Sequence, residues 1–396
     1  MPRFDGTTTI GVLGAGAMGS GIAQLAAANG HPVVLADASG DQLSRARASI
    51  AKGLQRDEEK GRLASGSATD ALARISIAGT TSDVALAAFA ECGLVIEAIV
   101  ERLDAKQSAF RTLEAAVGDD CVLATNTSSL SVASIAAACA RPDRVLGVHF
   151  FNPAPVMPLV ELVPGMTTTQ RVVDAVRGLV EGWGKTAVVA ADTPGFIVNR
   201  IARPFYGESI RILEERVADV PTIDWAMREL GGFRMGPFEL MDFIGNDVNY
   251  AVTRSVWEAF FYDPRYRPSF TQRRLVEAGF LGRKTGRGYY DYQALERPEP
   301  TRDERLGTEI LERVLAMLVN EAADAVHLGV ATAGDVELAM TRGVNYPKGL
   351  LAWGDELGPA RVVGIIEALR AEHQEDRYRV SPLLRRAARS GGRLLP

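Results

Sequence analysis

Thr9-Ile10-Gly11-Val12-Leu13-Gly14-Ala15-Gly16-Ala17-Met18-Gly19 is the stretch whose reading decides the fold. A strand-like aliphatic run enters glycines spaced G-x-G-x-x-G, and the apolar segment Ser20 to Ala28 leaves them with helical spacing. In such a unit the first two glycines permit a tight turn and let backbone N–H groups approach a pyrophosphate. The third lets helix and strand pack closely, and the helix N-terminus adds positive potential. The spacing alone also fits a purely structural glycine turn. Asp37, closing the next strand PVVLAD, completes the unit, because a carboxylate there suits the adenosine ribose hydroxyls and repels a 2′-phosphate. NAD is therefore expected rather than NADP, with Gly14, Gly16, Met18, Gly19 and Asp37 as contacts.

Outward from this unit, LVIEAI, CVLATN and VLGVHFF read as further strands, and Asp41 to Arg56 and Leu103 to Ala116 as helices between strands. Strand alternating with helix predicts an α/β Rossmann-type domain, a parallel sheet with helices on both faces. The sheet is expected to continue through LVELVPG and TAVVAAD, giving a domain over residues 1–192. From Phe196 the texture changes to long amphipathic helices, which predicts an all-α domain over 193–292. Residues 293–303, QALERPEPTRD, read as a linker. A second helical copy is expected over 304–396. Glu208, Ala226, Met227, Gly236, Asp242 and Gly245 recur at one constant spacing as Glu321, Ala339, Met340, Gly349, Asp355 and Gly358. After one residue is dropped, RYRPS at 265 meets RYRVS at 377. Such a register predicts a duplicated domain.

The 396 residues are 47% hydrophobic and carry a net charge of −5, which advertises neither a disordered chain nor a nucleic-acid surface. Three cysteines without a CxxC pair argue against a disulfide framework and a zinc site, so no metal is expected. The opening MPRFDGTTTI has no charged and then apolar leader, no apolar run reaches the roughly 18 residues of a membrane span, and the last three residues are not a peroxisomal signal. A cytoplasmic protein that contacts no membrane is expected.

His149, at the end of RVLGVH, and Glu161, in LVELV, flank the proline-rich turn NPAPVMP. A reversal of that length can bring the two side chains together. A carboxylate on one imidazole nitrogen fixes the tautomer a general base needs to take an alcohol proton. Either residue by itself also reads as structural, and the spacing leaves that open.

The segments GVLGAGAMGSGIAQ, ATNTSSLSV, GVHFFNPAPVMPLVELV, TPGFIVNR and FRMGPFEL together resemble the L-3-hydroxyacyl-CoA dehydrogenases, over roughly residues 8–292 and again in the repeat. The resemblance implies reversible, NAD-dependent oxidation of an (S)-3-hydroxyacyl-CoA to the 3-ketoacyl-CoA, in fatty-acid, butanoate or phenylacetate-type thioester metabolism. It implies that His149 and Glu161 are the catalytic pair and that Ser128 and Asn199 hydrogen-bond the substrate. Asn152 and the stretch from Glu101 to Lys106 resemble further cofactor contacts, as does Lys284 in GRKTGRGYY. The site is expected between the dinucleotide-binding and helical domains.

Lys52, Arg56 and Lys60 follow Asp37 on or near one helix and are candidates for the coenzyme A phosphates, although a solvated charged face fits them equally. Arg234 in FRMGP, with DVNYAVTRSV after it, is similar to the 3-hydroxyadipyl-CoA dehydrogenases, and there an arginine could meet a distal carboxylate. A surface arginine at a helix end is the plainer reading. The second copy is expected to be non-catalytic and to stop at GGRLLP before any equivalent of GRKTGRGYY. In single-copy relatives the helical domain forms a two-fold dimer, so a monomer with an internal pseudo-dimer is expected. An L-gulonate-type dehydrogenase, a non-catalytic crystallin-like protein and a bare NAD sensor are the rival readings.

Overall fold

The computed structural model describes residues 4–79, 87–296 and 298–395. Arg297 of the expected linker, residues 80–86 and the outermost residues of the expected first and last domains lie outside these. The chain divides into two compact units, Met1–Thr193 and Pro194–Pro396.

Among the described residues, unit 1 has eight strands: β1 (Thr9–Leu13), β2 (Val33–Ala36), β3 (Ile75–Ile77), β4 (Cys92–Glu97), β5 (Val122–Thr125), β6 (Val145–Phe150), β7 (Leu159–Pro164) and β8 (Thr186–Val189). They lie in the order β3-β2-β1-β4-β5-β6-β7-β8. All neighbours are parallel except β6 and β7, which run antiparallel. Helices α1 (Ala17–Ala28), α2 (Gly40–Glu59), α3 (Ser67–Ala73), α4 (Leu103–Ala116), α5 (Val132–Ala136) and α6 (Gln170–Gly182) connect them. Alternate residues of one strand supply the two faces: Ile10, Val12, Leu94 and Ile96 join one core, Leu13 and Val95 the other. Burial on both faces explains why these strands read as continuous aliphatic runs. The strand order reverses between β1 and β4, and the crevice at such a switch point is where open α/β sheets bind ligands.

Unit 2 contains the same helical fold twice. The first copy comprises α7 (Val198–Ile201), α8 (Arg203–Glu214), α9 (Val220–Trp225), α10 (Pro237–Ile244), α11 (Asn246–Ala259) and α12 (Phe270–Glu277). In the second, α13 (Glu304–His327) takes the place of α7 and α8. It is followed by α14 (Ala333–Leu338), α15 (Leu350–Leu357), α16 (Pro359–His373) and α17 (Pro382–Ser390). Both copies break into one π-helical turn at the shared Ala-Met, Ala226–Leu230 and Ala339–Gly343. Both hold the glycine before an equivalent helix, α11 or α16, at positive φ, 105° at Gly245 and 85° at Gly358, which a side chain would strain.

Their caps correspond as well. Asp224 accepts the Phe238 and Glu239 N–H groups, both at 2.9 Å, and Glu337 accepts those of Leu351 and Ala352. Asp242 receives the N–H groups of Tyr289 and Tyr290 at 3.0 Å, and Asp355 receives those of Leu394 and Leu395 at 2.6 and 3.2 Å. The expectation that the second copy ends before any equivalent of GRKTGRGYY is thus corrected for the closing Tyr289-Tyr290 pair alone. Leu394 and Leu395 fill the same dock through backbone N–H groups, which side-chain resemblance does not reveal.

Candidate active site

The glycine turn conforms to its reading position by position. Gly14 has φ 107°, and a Cβ there would lie 2.5 Å from the Ala98 carbonyl oxygen. A Cβ on Gly19 would lie 1.8 Å from the Gly14 oxygen, so helix and strand pack only through glycine. Around Gly16 a Cβ would meet nothing within 4 Å, which leaves that backbone open to a ligand. Asp37 closes on the turn, its carboxylate accepting the Ala15 N–H at 2.7 Å and the Ser39 N–H at 2.9 Å. A cavity of about 760 Å³ runs past Gly16 and Asp37 to the apolar Ile99, Val100 and Ala109. A polar end at a carboxylate, suited to ribose hydroxyls, and an apolar end suited to a base fit the adenosine half of NAD. Met18 is half-buried on the first turn of α1.

Antiparallel pairing of β6 with β7 sets His149 directly opposite Glu161. Cross-strand partners project to the same face. The imidazole Nδ1 lies 2.6 Å from Glu161 Oε2, with His149 6% exposed and Glu161 fully buried. Phe151 packs against the ring at 4.5 Å between centroids. Lys185, at the foot of β8, donates to the carbonyl oxygens of Ala154, Pro155 and Met157, fastening the turn between the two strands. Burial pushes its pKa down to about 8. The sequence reading missed Lys185, whose signal is a lysine beside an otherwise apolar strand.

Ser128 lies on the loop after β5, and Glu101 pins that loop. Glu101 accepts from Thr127 Oγ1 at 2.7 Å, from the N–H groups of Ser128 and Ser129 at 3.0 and 3.2 Å, and from Ser129 Oγ at 3.0 Å. Burial raises the Glu101 pKa, but Lys106 and these hydrogen bonds outweigh it and hold the carboxyl below its ordinary range. Lys106, which the resemblance implied as a further cofactor contact, is 1% exposed. Its ammonium bridges Glu97 at 2.6 Å and Glu101 at 3.3 Å, so it supports the loop from beneath. Thr125 Oγ1 donates to the other Glu97 oxygen at 2.7 Å. Glu97, a carboxylate within an apolar strand, was legible and was missed.

Asn152 is exposed just past β6. Lys52 and Arg56 line a second cavity of about 540 Å³ together with Gly16, Gln24, Arg45 and Pro155. Lys60 is exposed and does not line it. Asn199 and Lys284 belong to unit 2. Asn199 lies on α7, and Lys284 pairs with Asp247 at 2.6 Å. Arg234 is exposed ahead of α10. Among the described residues no group of three or more His, Cys, Asp or Glu side chains could hold a metal ion.

Against known proteins, residues 9–193 match the family model described as 3-hydroxyacyl-CoA dehydrogenase, NAD binding domain. The model for that family's C-terminal domain matches twice, over 195–292 and 310–393. The chain is 38% identical to a 3-hydroxyadipyl-CoA dehydrogenase of Escherichia coli K12, over 96% of this chain and 97% of that one. It is 43% identical to a 3-hydroxybutyryl-CoA dehydrogenase of Bradyrhizobium diazoefficiens, over 74% of this chain and 98% of the relative. A solved structure described as 3-hydroxybutyryl-CoA dehydrogenase from Escherichia coli K12 superposes with a TM-score of 0.91 at 37% identity, covering 97% of this chain and 99% of that one.

Proposed function

The chain belongs to the 3-hydroxyacyl-CoA dehydrogenase family, and from that premise we propose that His149 is its general base and Glu161 the group that orients it. The enzyme is an NAD-dependent oxidoreductase that interconverts 3-hydroxyacyl-CoA and 3-ketoacyl-CoA. The observation that carries the assignment is the buried 2.6 Å contact between His149 Nδ1 and Glu161. Glu161 binds Nδ1, Nε2 is assigned the substrate hydroxyl proton, and the carboxylate then stabilises the imidazolium. When bound, the nicotinamide supplies the hydride acceptor.

Ser128, on the loop that Glu101 pins, and Asn199 are assigned to the substrate oxygen, where a lost donor typically costs ~3 kcal/mol. Gly14, Gly16, Met18, Gly19 and Asp37 are assigned to the cofactor, with Glu101, Asn152 and Lys284 as further contacts. Lys52 and Arg56 remain the candidates for the coenzyme A phosphates, because both line the second cavity.

The decisive assay follows NADH consumption with acetoacetyl-CoA and with free acetoacetate. Turnover of the thioester alone supports the assignment, whereas turnover of the free acid alone overturns it.

The compartment and assembly state are further parts of the reading. Cys92, Cys121 and Cys139 are free and buried, and burial pushes their thiols up to about 12, 12 and 11. Such inert thiols suit a cytoplasmic protein. The two helical copies pack on each other within unit 2, which supports a monomer carrying its own pseudo-dimer. Light scattering that finds an obligate dimer overturns that reading.

A further inference from the structure

Arg203 opens α8 one helical turn beyond Asn199. Its side chain is 7% exposed. Nε donates to the Asn199 carbonyl oxygen at 2.8 Å and Nη1 to Thr253 Oγ1 at 3.1 Å. The guanidinium carbon lies 5.0 Å from the centroid of the Tyr206 ring.

What sets this residue apart is the missing acid. Among the described residues, every other buried arginine has a carboxylate within 4 Å. Arg144 has Glu114, Arg200 and Arg265 share Glu321 and Asp324, and Arg211 and Arg377 reach Glu208. Arg203 has none within that distance. A buried guanidinium without a counter-ion bears an uncompensated desolvation cost, which an anionic ligand would relieve.

The groups around it suit a carboxylate. The Tyr206 ring faces Arg203, and Tyr346 packs on Phe205, two residues along α8, at 5.7 Å between ring centroids. Tyr346 is 5% exposed, and its hydroxyl has no hydrogen-bond partner among the described residues. Tyr346 belongs to the second helical copy, where it takes the place that Phe233 holds in the first. The two rings pack at 5.0 Å between centroids. The hydroxyl is therefore what the second copy adds to this spot.

We infer that Arg203, with the hydroxyls of Tyr206 and Tyr346, receives the terminal carboxylate of a dicarboxylic 3-hydroxyacyl thioester. This rests on the assignment of Asn199 to the substrate oxygen. Residues one turn apart on a helix stand about 5–6 Å apart, close to the span from C3 to a carboxylate three carbons further on. Arg203 takes this role in place of Arg234, which is exposed. Thr253, which holds Arg203, lies in the DVNYAVTRSV segment that drew attention to such substrates.

The test compares kcat/KM for 3-hydroxyadipyl-CoA and 3-hydroxybutyryl-CoA, with NAD saturating, in the wild-type protein and in Arg203→Met, Arg203→Lys and Tyr346→Phe. Wild type should favour the dicarboxylic thioester. Arg203→Met should lower the adipyl-to-butyryl ratio about thirtyfold, mainly through KM, the size of one charge-assisted contact. Arg203→Lys should restore part of the preference, and Tyr346→Phe should lower it several-fold. Equal proportional loss on both substrates in Arg203→Met, or a wild-type ratio near one, overturns the inference and leaves the reaction assignment standing. Turnover of neither thioester by wild type overturns both. Should Arg203→Met fail to fold, the lysine and Tyr346→Phe ratios decide.

Discussion

Glu208 and Glu321 hold equivalent places in the two helical copies, and each carboxylate is bound by the arginines and tyrosine of the opposite copy. Glu321 receives Arg200 Nε at 2.6 Å, Arg265 Nη1 at 3.0 Å and Tyr266 Oη at 2.6 Å. Glu208 receives their counterparts, Arg313 Nε at 3.1 Å and Tyr378 Oη at 3.0 Å, with Arg377 Nε at 3.9 Å. A contact from i to j matched by one from j to i is the signature of a two-fold interface, here closed within one chain. Breaking a buried ion pair from one side typically costs about 3–5 kcal/mol. Glu321→Gln should therefore destabilise unit 2 by roughly that amount, and Glu208→Gln by less because its contacts are longer. Urea unfolding measures both, and losses below about 0.5 kcal/mol for Glu321→Gln would remove the crossed pairs from the stability argument.

Asp224 makes stability depend on pH. Burial pushes its pKa up from 3.8 to about 7, against the opposing pull of the Phe238 and Glu239 N–H groups and the Tyr290 hydroxyl. Between those two values the folded protein binds more protons at this site than the unfolded chain. The stability associated with Asp224 is therefore full below about 4, falls as pH rises towards 7, and levels off above it. Asp224→Asn removes the titrating group. Subtracting the variant's unfolding free energies from those of wild type, pH by pH, should reveal a decline of a few kcal/mol, of the order of three pKa shifts of ~1.4 kcal/mol each. A flat or rising difference would show that the carboxyl stays ionised in the fold.

The choice of cofactor is assigned to Asp37. Its carboxylate is fixed by the Ala15 and Ser39 N–H groups and lines the cavity assigned to adenosine. Asp37→Ala removes both the ribose acceptor and the charge that repels a 2′-phosphate. The preference for NAD over NADP, read as a ratio of kcat/KM values, should drop by about tenfold or more. An unchanged ratio would place the discrimination elsewhere.

Local chemistry made much of this legible in the sequence. The glycine turn is one continuous segment whose spacing states its own geometry. His149 and Glu161 flank a short reversal, so antiparallel pairing alone brings them together. What stayed hidden depends on partners distant in the chain. The three-residue strand β3 is too short to display a period. Lys106, implied by resemblance as a cofactor contact, is buried because Glu97 and Glu101 close over it, which the sequence does not state. The repeat was visible, but the crossing of Glu208 and Glu321 was not, because identical residues in two copies do not state which copy they face. Tyr346 reaches the helix that carries Arg203 only through that packing.

The proposed catalytic pair, His149 and Glu161, gives the sharpest test, because its two members should fail differently. His149→Gln removes the base itself, and general base catalysis typically contributes 10²–10⁴-fold, so turnover should fall by about that factor. Glu161→Gln keeps the imidazole but presents an amide to Nδ1. An amide N–H donated there would put the imidazole proton on Nε2, the wrong nitrogen for a base, so this variant should also lose about a hundredfold or more. The glycine turn and Asp37 lie just past β1 and β2 and at the start of α1, apart from this pair, so NADH binding measured by fluorescence should stay near wild type in both. Near-normal turnover in His149→Gln would remove it from the chemistry, whereas a wild-type Glu161→Gln would leave His149 as a base that needs no orienting carboxylate.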